Sequence, residues 1–557
     1  VHLSLGDVFE HSTVARLAER LIELEQEDPS ERPVLSPVPR EQPLHVSSMQ
    51  ESLWVLDSLH PGDTFYNKHW ARHLEGPLDL AARIQQNRGV HLGLGDVFEY
   101  STVAQLAERL SALEQEDPSE RPVLSPVPRG QALPASSMQE SLWVLDSLHP
   151  GDTFYNMHWA LSLEGPLDLD ALERAVERMG ERHEALRTTF GWVDDDLAQI
   201  ISPSLKVPLE IVDLQHLDLP ERRREALRIS ARNADLPFDL AAGPLTRLVI
   251  IREQPDRHLL SISAHHIVSD MFSMAVLTRD LVAVYDAERS GTDCPLVDLP
   301  VQPADVAAWE RATADTSRFA DRLAQRAEQL KGVPRLELPT DHARGSQRTH
   351  VGVHAQAVLP RADTEKLIAL ARHHHATLFM TCLAGFAVLL RDRCDHDDFV
   401  VGTAVSGRGR KELEGLVGLL VNTLPIRIDL QGQPDFGETI AAVRAASTQS
   451  FAYADVPFGQ LIAALNPDRT PGRQPLVETY FQFQTDPLAG IGLDDLRVER
   501  VTREGTPVAF DLELSITEVA GELRVSLGGA ADLFSSDTVS SWLHDYVAVL
   551  TQSTARS

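Results

Sequence analysis

The chain predicts an α/β (α+β) fold, and three observations carry that expectation. From about residue 130 onward, helical and strand-like hydrophobic periods alternate. A proline-rich stretch, "PLVDLPVQPADVAAWE", interrupts the alternation near residue 300, and a second round of the same kind follows it. The hydrophobic share of 43% and charged share of 24% suit a globular protein that buries real cores.

In order along the first round, "DALERAVERMGERHEALR" spaces its apolar residues as an amphipathic helix. "LTRLVIIR" and "HLLSISAHH" read as strands joined by the polar turn "EQPDR", and "MFSMAVLTRDLVAVYDAE" as a helix packed on its apolar face. The second round opens with the strand "HVGVHAQAVLP". Two helices follow within "ADTEKLIALARHHHATLFMTCLAGFAVLLRD", then the strands "FVVGTAVSG" and "VNTLPIRIDL".

Bulk composition narrows the functional classes. With 51 Lys+Arg against 82 Asp+Glu the net charge is −31, which argues against nucleic-acid or anionic-membrane partners. Cys294, Cys382 and Cys394 have no CxxC spacing, so a reducing cytoplasm is the simplest location. No apolar run approaches the roughly 20 residues of a membrane span. The chain begins at Val1 and reads as a piece of a longer multidomain protein, expected to be monomeric as a fragment.

The first 170 residues contain a repeat. "VHLSLGDVFEHSTVARLAERL" at residue 1 returns as "VHLGLGDVFEYSTVAQLAERL" at residue 90, and the match runs on to "LEGPLDL" at 74–80 and 163–169. Only the second copy continues into the main body. Each copy starts with a short helix capped by Ser12 or Ser101, with Val14, Leu17, Leu21 and Leu24 forming one stripe. A linker rich in charge and proline follows, "EQEDPSERPVLSPVPR" in the first copy and nearly the same in the second. Copy one carries Lys68, Arg72 and His73 where copy two has Met157, Leu161 and Ser162. Charges at buried strand positions are costly, so residues 40–89 are expected to be loosely docked or partly disordered.

The chemistry concentrates in "LLSISAHHIVSDMFSM", residues 259–274. Strand alternation places Ser261, Ser263 and His265 on one face and Ile262, Ala264 and His266 on the other. The two imidazoles therefore point apart, one supporting the structure and one facing a cleft. A neutral imidazole there suits a general base or hydrogen-bond acceptor. A lone His–His pair is more often structural than catalytic. Asp270 can cap the next helix or pair with an arginine. No GxSxG, GxGxxG or P-loop is present. "HHH" at 373–375 reads as a solvated helix end and "CDHDD" at 394–398 as a polar turn, not a metal site.

HHxxxD after a strand, preceded by "RHEALRTTF" (182–190), resembles the condensation domains of non-ribosomal peptide synthetases. "SSMQESLW" (136–143), "VGTAVSGRGRKELEGLVGLLVNTLPIR" (401–427), "DVPFGQLI" (455–462) and "DRTPGRQPLVETYFQFQ" (468–484) are similar to the family's other motifs, in the family's order. The resemblance covers about 130–553. It implies two chloramphenicol-acetyltransferase-like lobes, 132–302 and 303–553, forming a V-shaped pseudo-dimer around a tunnel. The short N-terminal helices at 1–26 and 90–115 resemble the C-terminal end of a peptidyl carrier domain. Residues 27–89 then read as a linker and truncated duplicate of the domain start, and 116–131 as a linker.

The resemblance also implies amide formation, by attack of a carrier-bound aminoacyl amine on an upstream carrier-bound thioester. Donor and acceptor carrier domains would be the partners, with an adenylation domain adjacent. No cofactor would be intrinsic, since the phosphopantetheine arms arrive with the carriers. His266 matches the histidine that faces the tunnel and meets the amine, with His265 supportive and Asp270 structural. Arg408 in "SGRGR" is the expected partner of Asp270, and Ser269, Met271 and Asn422 are expected along the tunnel. Met271 stands where the family usually has glycine, and Ser141 where arginine is usual. "LLVNT" replaces a more common aromatic FVNT. The alternative reading is a degenerate relative that serves as a docking platform. An epimerase relative is disfavoured by "VNTLPIR", and a heterocyclase by the retained histidines; ester formation stays open.

Overall fold

The computed structural model describes residues 108–109 and 122–555, apart from 204, 347, 433, 468–469, 494 and 502–504. The chain divides into Val1–His69 and Trp70–Ser557, and all described residues belong to the second unit. The carrier-like fragment at 1–26 and the truncated duplicate over 27–89 lie outside the described residues. So do most of the second fragment at 90–115 and the first part of the linker at 116–131.

The first lobe contains β1 (Leu133–Pro134), α1 (Ser137–Leu148), β2 (Asn156–Glu164) and α2 (Leu169–Arg182). The hairpin β3 (Thr188–Val193) and β4 (Asp196–Ile201) follows, then β5 (Leu209–Asp213) and α3 (Leu219–Asp235). β6 (Thr246–Gln254), β7 (Arg257–His265) and α4 (Met271–Ser290) complete it. Local chemistry sets the ends. Asp168 caps α2 by accepting from the Ala171 amide, and Leu172, Ala175, Val176 and Met179 then recur at helical spacing and are buried.

The second lobe contains α5 (Pro303–Ala314), α6 (Ser317–Leu330), β8 (Gly352–Leu359), α7 (Arg361–His373) and α8 (Leu378–Cys394). It continues with β9 (Asp398–Val405), β10 (Asn422–Asp429), α9 (Phe436–Phe451) and α10 (Phe458–Leu465). β11 (Thr479–Thr485), β12 (Arg497–Val501), β13 (Leu512–Val519), β14 (Glu522–Ala530) and α11 (Ser536–Ala555) end the chain. α8 is buried nearly all round, from Phe379 to Leu390, and forms the centre of this lobe's core. The "HHH" run caps α7, and the turn after α8 is closed by Asp395 in the left-handed region.

Each lobe is built on one large sheet. The first runs β12-β2-β7-β6-β5 and the second β10-β9-β11-β13-β14-β8. Both share a motif of three antiparallel neighbours, β2–β7–β6 in one and β8–β14–β13 in the other. In both, the central strand leads into a 20-residue helix, α4 or α11. This internal duplication is the architecture expected of a pseudo-dimer. The simple division at residue 302/303 is corrected on one point. β12 belongs by sequence to the second lobe, yet it pairs antiparallel with β2, Arg497 opposite Glu164 through Val501 opposite Ala160.

Candidate active site

The site forms where β7 ends. His265 is its last residue, and His266 opens a single 3-10 turn, His266–Val268, before α4 starts at Met271. The strand alternation assumed from sequence therefore stops one residue early, and the turn is what separates the two rings. His265 is buried beside the rings of Tyr155 and Phe238, at centroid distances of 6.5 and 6.2 Å. His266 is half-buried.

Hydrogen bonds fix opposite tautomers on the two rings. His266 Nδ1 lies 2.6 Å from the Ser269 carbonyl oxygen. A carbonyl only accepts, so Nδ1 carries the proton and Nε2 of the neutral ring offers its lone pair. On His265 the Ile267 amide donates to Nδ1 at 3.2 Å, which leaves the proton on Nε2. Burial, aided by the neighbouring His266, pushes the His265 pKa down to about 3, so this ring stays neutral. The main chain of the turn is held as well: the His266 amide donates to the Tyr155 carbonyl at 2.8 Å.

Asp270 is wholly buried and accepts five hydrogen bonds. On Oδ1 they come from the Ser273 amide (2.7 Å) and hydroxyl (2.8 Å). On Oδ2 they come from Arg408 Nη1 (2.9 Å) and the amides of Leu420 (3.0 Å) and Val421 (3.1 Å). Burial alone would raise its pKa, but the Arg408 charge and these donors outweigh that and hold the carboxyl below its ordinary value. Both readings of Asp270 from sequence are present at once, since it caps α4 and pairs with Arg408. With every lone pair engaged, it has no capacity for proton transfer.

Arg408 extends the network. Its Nη1 also donates to the Ser406 carbonyl, and its Nη2 to the Ser273 hydroxyl and the Leu416 carbonyl, each at 3.0 Å. Ser273 Oγ also accepts from the Gly418 amide and lies 2.8 Å from the Gly418 carbonyl. The start of α4 in the first lobe is thereby stapled to segment 406–421 of the second. A separate contact joins the lobes nearby, where Phe154 stacks on His350 with centroids 3.9 Å apart.

The three residues expected along the tunnel sit in distinct settings. Asn422 has its amide engaged throughout, donating to the Ala454 and Val456 carbonyls and accepting from the Phe458 amide. It clamps the turn before α10 and presents no free group. Ser269 is buried and acts on the site through its carbonyl, while its hydroxyl faces the Met274 sulfur at 3.6 Å. Met271 is the first residue of α4 and half-buried. Ser273 and Tyr155 were missed from sequence. The D-x-x-S spacing of a helix cap could have signalled Ser273; nothing local marks Tyr155. Among the described residues no group of three or more His, Cys, Asp or Glu is placed to hold a metal, and no single helix is long and apolar enough to cross a membrane.

Two similar lobes clamped across an HHxxxD turn define an acyltransferase-type two-lobed fold. The Condensation domain family model matches residues 130–556, and the chain belongs to that family, as a condensation domain of the non-ribosomal peptide synthetase type. It is 35% identical over 474 residues to a linear gramicidin synthase of Brevibacillus parabrevis, covering 84% of this chain and 6% of that protein. It is 37% identical over 465 residues to phosphinothricin tripeptide synthetase PhsB of Streptomyces viridochromogenes, covering 82% of this chain and 39% of that protein. The chain thus spans well under two thirds of these relatives. Among solved structures it is similar to the X-domain from teicoplanin biosynthesis, with a TM-score of 0.69 and 28% identity over 78% of this chain and 97% of that one.

Proposed function

We propose that this domain joins two carrier-bound substrates by an amide bond. The amine nitrogen of a carrier-bound aminoacyl group attacks the carbonyl carbon of an upstream acyl or peptidyl thioester. The C–N bond forms, the C–S bond breaks, and the carrier thiol leaves. His266 Nε2 accepts the proton lost by the amine, and that proton can pass on to the departing sulfur. The single observation that carries this reading is the 2.6 Å bond from His266 Nδ1 to the Ser269 carbonyl, which leaves Nε2 as an acceptor. His265 and Asp270 act as positioning residues. In this reading the domain needs no cofactor of its own, because phosphopantetheine arms bring both substrates from donor and acceptor carrier domains. Cytoplasmic location and an adjacent adenylation domain accompany the same proposal.

The test is a condensation assay with both carriers loaded, read by mass spectrometry of the product. His266→Ala is expected to lower product formation at least about a hundredfold, the usual worth of a positioned acid–base group, while carrier binding persists. Unchanged turnover would remove His266 from the chemistry. Carrier binding without any wild-type product would favour the docking platform. In the same assay Met271→Gly is expected to broaden the range of acceptors, because a flexible apolar side chain is removed from the start of α4.

A further inference from the structure

The bond that holds the histidine turn lies where a sheet frays. β2 and β7 pair from Glu164 opposite Arg257 to Asn156 opposite His265, and the ladder stops there. The His266 amide reaches the Tyr155 carbonyl one residue beyond that last pair. A rung outside a ladder is supported from one side only and opens before the rest. Asn156 is tied down separately, its side-chain amide donating to the Ala234 and Leu236 carbonyls at 2.7 and 2.8 Å. Around Tyr155 the packing is aromatic. Phe154 meets its ring edge-on, with centroids 4.9 Å apart and planes at 76°. Phe154 lies in turn against His350 of the second lobe, at 3.9 Å and 25°.

His350 holds its ring in a fixed place. Its φ is +57°, in the left-handed region where a side chain costs energy. Val508 locks it there from two sides. The His350 carbonyl accepts from the Val508 amide at 3.0 Å, and the His350 Nδ1 lies 3.3 Å from the Val508 carbonyl. A carbonyl only accepts, so Nδ1 is the donor. A strained backbone of this kind persists only where its surroundings enforce it, and here they set the ring flat against Phe154. The second lobe thus grips the histidine turn at both ends. Arg408 holds Asp270 after the turn, and His350, through Phe154, backs Tyr155 before it.

We propose that His350 is a positioning residue for the condensation reaction: its ring, stacked on Phe154, keeps the Tyr155 carbonyl in line with the His266 amide and so fixes the His266 ring. The inference rests on the function proposed above. His350 acts through Tyr155 and takes no part in proton transfer. A reacting group displaced by about 1 Å can lose about a hundredfold in rate, so extra freedom in the turn shows in kcat.

The test uses the full chain and reads amide exchange of the peptide containing His266, by mass spectrometry, together with kcat and KM for loaded carriers. His350→Asn removes the ring but suits the left-handed backbone. It is expected to speed exchange at the His266 amide about two- to tenfold, the worth of an aromatic pair, with a peptide from α8 unchanged. It should also lower kcat at least about threefold, with KM within about twofold of wild type. His350→Phe keeps the stack but strains the backbone and loses the bond to Val508. It is expected to melt below His350→Asn, yet to exchange and turn over like wild type. A merely structural role would make the rate follow the melting temperature, whereas positioning makes it follow the ring. Unchanged exchange in His350→Asn, an equal loss of rate in His350→Phe, or faster exchange at wild-type kcat would overturn the positioning. Product from wild type with unchanged exchange in His350→Asn removes the positioning and keeps amide formation. No product from wild type removes amide formation, and exchange alone then decides whether the stack holds the turn.

Discussion

At the scale of single residues, the site depends on which atoms are already occupied. Asp270 spends all its acceptor capacity on Arg408, Ser273 and two main-chain amides, so its contribution is to hold the start of α4 against the second lobe. Arg408→Met is expected to destabilise the domain by about 3–5 kcal/mol, because a buried carboxylate loses its counter-charge; urea unfolding measures it. Adding Asp270→Asn to that variant should recover part of the loss, and a double variant less stable than either single one would contradict the pairing. The Asp270–Arg408 partnership was legible in the sequence through the resemblance, and strand alternation anticipated that His265 and His266 sit in different surroundings, one buried and one half-buried. The tautomers were not, since they depend on the Ser269 carbonyl and the Ile267 amide. The three main-chain partners of Asn422 were likewise invisible, since they come from the turn before α10.

At the scale of elements, the strap from Ser406 to Val421 decides whether the two lobes meet in register. Gly407 allows it to turn, with φ at +65° and the position of a Cβ only 1.8 Å from the Leu420 carbonyl oxygen. Gly407→Ala therefore strains the backbone and pushes on the residue whose amide holds Asp270. A loss of at least about 2 kcal/mol is expected, together with a lower rate of condensation in the loaded-carrier assay. A variant with wild-type melting temperature and rate would show that the strap tolerates displacement. The long amphipathic helices and buried strands were readable from hydrophobic period alone, as in α2 and β7. β12 was not: "RVERV" is five residues of mixed polarity whose partner, β2, is set by tertiary packing more than 330 residues away in sequence.

At the scale of the whole molecule, buried titratable groups shape the response to pH. Burial lowers the pKa of His183, His258, His265 and His350. The unfolded chain binds those protons first as pH falls, so each costs stability from its unfolded value near 6.5 down to its folded one. Glu310 and Glu478, raised by burial to about 7, act oppositely in part of that window, so a difference between variants is the clean measurement. Between pH 6.5 and 5, His265→Gln should lose about 2 kcal/mol less stability than wild type, given a folded pKa of about 3. An identical pH dependence of stability in the two proteins would show that folding leaves the His265 pKa unchanged. The exchange of β12 bears on how the chain is made. The first lobe's sheet lacks an edge strand until residue 501 has been synthesised, and until then β2 presents unpaired main-chain groups. A ribosome emitting this polypeptide thus exposes an open sheet edge for most of the domain's length. The first lobe's sheet is therefore complete only once β12, from the second lobe's part of the sequence, has emerged.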